Sequence, residues 1–115
     1  MEKLCKIRDM QRAVNRFETG FERLYGVGLN EGMALCSLSR AGRLSSGELG
    51  ELLGLSLSNA SKVIASVERK GLVERVMGES DRRRMFFSLT DRGRALLESV
   101  DCSHPDLPSL PDGVC

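Results

Sequence analysis

The sequence predicts a mainly α-helical fold with one small β-hairpin, an α+β architecture, and three observations carry that reading. Residues 45–71 hold two short amphipathic periods separated by Gly54, each opened by serine cap signals and each closed by a glycine. Residues 72–77 (LVERVM) and 85–89 (MFFSL) alternate as strands on either side of a polar loop, GESDRRR. Residues 3–25 and 91–100 repeat apolar positions at helical spacing on the two flanks.

A chain of 115 residues suits one domain with a modest core. With 4% aromatic residues and no Trp, Leu and Val must build that core. The net charge of +1 says little by itself, but residues 56–84 carry seven Lys or Arg against four acids, a net of +3 that leaves the remainder at −2. Such a split suits a protein that turns one face to phosphates. Cys5, Cys36, Cys102 and Cys115 lie far apart without a C-x-x-C pair, which argues against a metal site. His104 is the sole histidine, no acid pair has a pocket, and no phosphate-binding glycine loop is present, so neither an enzyme nor a cofactor is expected. MEKLCKIRDMQR has no apolar core of a leader, and no run approaches the ~18 apolar residues of a membrane span. The expectation is a soluble cytoplasmic protein with reduced thiols and no membrane partner.

Leu4, Ile7, Met10, Val14, Phe17, Phe21 and Leu24 form the stripe of the first helix. Its portion Met10, Val14, Phe17, Phe21 and Leu24 alternates as a heptad does, and is the candidate dimerisation seam. Periodicity does not say what covers a stripe, so the chain's own domain and a second copy are both open. Gly20 within it permits a close approach or a bend. Gly26 and Gly28 end this helix; Asn30 then caps a second over 31–41, with Met33, Cys36 and Leu38 inward and Gly42 as its stop.

Ser45 and Glu48 are spaced as a capping box for a helix carrying Leu49, Leu52 and Leu53. Ser56 or Ser58 caps the next, whose apolar face is Ala60, Val63, Ile64 and Val67. Opposite that face lie Ser58, Lys62, Ala65, Ser66 and Arg69, flanked by Asn59 and Ser61. Residues 56–66 contain no acid, where an ordinary solvated face would carry Glu–Lys pairs. Without carboxylates the helix can approach phosphates, and short hydroxyl, amide and amine groups can reach base edges.

Arg82, Arg83 and Arg84 crowd the hairpin tip, placed to reach a neighbouring minor groove, and Asp81 is spaced to aim Arg83 by a bidentate pair. Phe86 and Phe87 point to opposite faces, one into the core. Thr90 caps a last helix with Leu96, Leu97 and Val100 inside. All three prolines follow, and residues 101–115 read as an extended or disordered tail.

Two short helices, a tight turn and a hairpin with a charged tip make a winged helix-turn-helix. SSGELGELLGLS, SNASKVIASVERKGLVER and DRRRMFFSLTDRG, with D-x-R at Asp81 and Arg83 and L-T-x-x-G at Leu89, Thr90 and Gly93, resemble the MarR family of bacterial regulators across roughly residues 29–100. The resemblance implies a homodimeric transcription regulator, usually a repressor, on a palindromic double-stranded site. By position it gives Ser58, Asn59, Ser61, Lys62 and Ser66 as recognition-helix contacts and Arg83, held by Asp81, as the wing arginine. It also implies, for some members, a small aromatic effector or oxidant sensing through cysteine. Members pair through an N-terminal helix and long C-terminal helices; here the last helical period stops near Val100, which throws more of the pairing onto the Met10–Leu24 stripe.

The expected organisation is a dimerisation helix over 1–28, a DNA-binding domain over 29–100 and a tail over 101–115. Two other functions compete with a repressor. A winged-helix protein-interaction module without DNA binding is suggested by the short C-terminal region, and a thiol-responsive regulator by Cys5, Cys102 and Cys115.

Overall fold

Five helices and one antiparallel hairpin follow one another in the computed structural model, which describes residues 2–78, 83–101 and 103–108. The order is α1 (Glu2–Tyr25), α2 (Leu29–Ala41), α3 (Ser46–Leu53), α4 (Leu57–Arg69), β1 (Val73–Met77), β2 (Met85–Leu89) and α5 (Asp91–Ser99). The chain divides into two units, one of residues 30–99 and one combining residues 1–29 with 100–115. Asp101 and residues 103–108 group with α1.

In the unit of residues 30–99, local signals set the element ends. Ser45 caps α3 through both halves of the capping box: its Oγ accepts from Glu48 N at 3.2 Å, and Glu48 Oε1 accepts from Ser45 N at 3.1 Å. Gly54 closes α3 at φ 68°, where a side chain would be strained, and turns the chain within three residues into α4. Of the two candidate caps for α4 the structure uses Ser56, whose Oγ accepts from Asn59 N at 3.1 Å, so Ser58 lies inside the first turn. Gly50 is buried on α3; a Cβ there would stand 3.2 Å from the Ala60 Cβ, which shows how closely α3 and α4 approach.

The hairpin pairs Val73 with Leu89 through to Met77 with Met85. Leu44 adds an isolated bridge to Phe87, with N–O distances of 3.1 and 2.8 Å, and so lays the α2–α3 connection along the free edge of β2. Phe87 enters the core and Phe86 stays half-buried on the other face. The core gathers Ala34, Leu35 and Leu38 of α2 with Leu49, Ile64, Val67, Val73 and Leu89.

Two sequence expectations fail here. On α2, Met33 and Cys36 are exposed, and the inner face is Ala34, Leu35 and Leu38. On α3, Leu52 is exposed, while Leu49 and Gly50 are buried.

In the other unit, α1 runs unbroken through Gly20. Phe17 and Phe21 are buried at 6% and 5% exposure, with ring centroids 5.9 Å apart, and Tyr25 continues the row 4.9 Å from Phe21. Asp101 and residues 103–108, from the segment expected to be extended or disordered, meet this helix. Tyr25 Oη accepts from Asp101 N at 2.9 Å, and Leu107 is buried against Gly20, where a Cβ would stand 3.2 Å from Leu107 Cδ2. Gly20 thus serves close approach within a continuous helix. Leu4, Ile7, Met10 and Val14 remain exposed at 69%, 47%, 52% and 38%.

Candidate nucleic-acid interface

Helix α4 divides its residues cleanly between inside and outside. Ala60, Ile64 and Val67 are buried; Ser58, Asn59, Ser61, Lys62, Ala65 and Arg69 are exposed. The exposed row therefore holds hydroxyls, an amide and two cations, with no carboxylate from Leu57 to Val67. Ser66 departs from the expected outward position. It is half-buried, and its Oγ donates to Glu31 Oε2 at 2.9 Å.

Glu31 also accepts from Lys70 Nζ at 3.1 Å through Oε1 and 3.0 Å through Oε2. With its side chain only 15% exposed, Glu31 ties two points of α4 to α2 and fixes the roll of the outward row. A second tie fixes the hairpin to the same helix. Arg75 Nε and Nη2 donate to Glu68 Oε2 and Oε1 at 2.7 and 3.2 Å, and the Arg75 guanidinium sits 5.8 Å from the Phe87 ring centroid. The Arg75 bonds hold the Glu68 carboxyl below the usual carboxylate range. Neither tie was foreseen: Glu31 lies 35 and 39 residues from its partners, and Glu68 and Arg75, seven apart, meet only because the turn after α4 brings the strand back beside the helix.

At the hairpin, Gly78 N donates to Arg84 O at 2.9 Å and closes the base of the loop. Arg83 and Arg84 are exposed; Asp81 and Arg82 lie outside the described residues, and with them the expected Asp81–Arg83 pair. Arg43, from the α2–α3 connection, also belongs to this region: its guanidinium lies 4.8 Å from the Phe86 ring centroid, with Arg84 5.1 Å from the same centroid. The sequence offered no sign of that meeting, which depends on the Leu44–Phe87 bridge.

Among the described residues no group of three or more His, Cys, Asp or Glu could hold a metal, and no helix is long and apolar enough to cross a membrane. Of the candidate dimerisation residues, Met10 and Val14 are exposed, Leu24 is half-buried, and Phe17 and Phe21 are buried within the chain.

The family model for MarR matches residues 25–84, from the end of α1 through β1 to the residue before β2. The chain belongs to the MarR family. Among relatives of this MarR-family chain, an uncharacterised HTH-type transcriptional regulator YwaE of Bacillus subtilis is 31% identical over 93 residues, 81% of this chain and 54% of that protein. The transcriptional repressor MprA of Escherichia coli is 34% identical over 81 residues, 67% of this chain and 46% of that protein. The chain thus spans about half the length of these curated relatives. Among solved structures, a probable transcriptional regulator from Pseudomonas aeruginosa superposes with a TM-score of 0.69 at 28% identity, over 76% of this chain and 68% of its own. A C80S mutant of Escherichia coli MarR in complex with operator DNA gives 0.72 at 24% identity, over 84% and 68%, and confirms the winged-helix fold.

Proposed function

We propose that the chain is a sequence-specific, double-stranded DNA-binding transcription regulator, a repressor acting in the cytoplasm as a homodimer on a palindromic site. The observation that carries this reading is the exposed, acid-free row of α4, held at a fixed roll by Glu31. In the major groove, Ser58, Asn59, Ser61 and Lys62 meet base edges while Arg69 meets the backbone. Ser66 supports the helix through Glu31 and does not reach a base. Arg83 enters the adjacent minor groove from the wing. The repressor among the relatives supports the direction of regulation.

Two half-sites must be met about one helical turn apart, so two copies are required. The exposed part of the α1 stripe, Leu4 to Val14, is the seam we assign to the second copy.

Selection of bound sequences from random duplex DNA tests the whole reading, since enrichment of a palindrome reports binding, pairing and spacing together. Lys62→Ala is expected to change the selected sequence at one position of each half-site, and Arg83→Ala to weaken binding to all duplexes. No enrichment over the input pool would sink the proposal.

A further inference from the structure

Four described cations outside the α4 row have a carboxylate partner inside the chain: Arg8 has Asp9, Lys70 has Glu31, Arg75 has Glu68 and Arg94 has Asp91. Arg43 and Arg84 differ. They come from separate segments, and the described residues place neither in an ion pair; both stand over one aromatic ring, Phe86.

Two like charges gathered on one ring repel each other, and an exposed cation–π contact returns only about 0.5–1 kcal/mol for each. The arrangement persists because the backbone enforces it: Leu44 is bonded to Phe87 in both directions, which lays Arg43 beside Phe86, and Arg84 adjoins the Gly78 bond that closes the loop. A guanidinium that spends its face on a ring keeps its edge N–H groups for an acceptor, and those edges match phosphate oxygens bidentately. A carboxylate, Glu48, is near enough to feel the charge of Arg84, but its Oε1 accepts from Ser45 N in the α3 cap.

We propose that Arg43 and Arg84, stacked on Phe86, form a phosphodiester clamp at the root of the wing that grips the DNA backbone and reads no sequence. This assignment rests on the DNA-binding reading above and adds to it a residue, Arg43, that lies outside both the recognition helix and the wing. The clamp anchors the backbone between the groove entered by α4 and the groove entered by the wing tip.

Phosphate contacts show in the salt dependence of binding, with a log–log slope of about −0.9 for each phosphate neutralised on B-form DNA. The full chain is titrated by fluorescence anisotropy against a labelled duplex of arbitrary sequence, between about 50 and 200 mM salt. Arg43→Met and Arg84→Met should each flatten the slope by about 0.9, and the double variant by about twice that. Arg43→Lys, which keeps the charge, should retain the wild-type slope. Arg43→Gln serves as a second neutral variant, and melting curves confirm that each variant is folded. If the wild type binds with a steep slope and Arg43→Met and Arg43→Gln leave it unchanged, Arg43 is only a brace on Phe86. The clamp is then overturned while the DNA-binding reading stands. A wild type that binds no duplex overturns both.

Discussion

Thr90 and Gly93 show how one short motif joins three elements. Thr90 Oγ1 donates to Gly71 O at 2.7 Å and accepts from Gly93 N at 3.1 Å, so a single hydroxyl caps α5 and holds the α4–β1 turn. Gly93 lets the first turn of α5 rest on the Leu72 carbonyl, in space that a Cβ would overlap. Alanine would gain about 1 kcal/mol of helix propensity there but must push the backbone of Leu72 aside. The clash should win, and Gly93→Ala is expected to lose about 2 kcal/mol in urea unfolding. The L-T-x-x-G pattern was legible because it is local. Glu68 makes the contrasting case, with a partner that only the fold supplies. Its folded pKa lies below the ordinary 4.5, so its bond to Arg75 stabilises the native state above that value and is lost as pH falls through the lower one. Melting temperatures measured down through pH ~4 should therefore fall less steeply in Glu68→Gln than in the wild type.

At the scale of elements, the ends of α3 and α4, the inner face of α4 and the hairpin were readable because local signals agree there. Ser45 with Glu48, Gly54, Ser56 and the period Ala60–Ile64–Val67 all point to the same boundaries and the same inner face. Helix α2 was misread on its inner face for a physical reason. Apolar residues stand at 33, 34, 35, 36 and 38, so every side of that helix carries one and periodicity cannot choose. Packing chose Leu35, fully buried, and left Cys36 exposed. Leu35→Ala is expected to cost about 2–5 kcal/mol, against less than about 0.5 for Cys36→Ser, by chemical denaturation. Equal costs for the two substitutions would contradict the observed face. Ser66 was misplaced for a related reason: a helical wheel gives its angle, and only the position of Glu31 shows that α2 lies at that angle.

Across the whole molecule, the α1 stripe was visible as a period but not as two parts. Phe17 and Phe21 are buried, while the stretch from Leu4 to Val14 stays exposed. The sequence could not show that Asp101 meets Tyr25 and that Leu107 meets Gly20, because these contacts join positions some eighty residues apart. The proposed homodimer puts Met10 in its seam, so Met10→Glu should move the chain from dimer to monomer in sedimentation velocity with melting unchanged. An unaltered sedimentation coefficient would place the seam elsewhere. The seat of Leu107 on Gly20 also bears on how the protein is cut for expression. The hydrophobic period stops near Val100, and a fragment stopped there would look like a tidy minimal domain. Such a fragment would bare the groove at Gly20, strip Tyr25 of its bonded amide and add fresh apolar surface to a helix that already exposes four large side chains. The sensible place to stop is beyond Pro108.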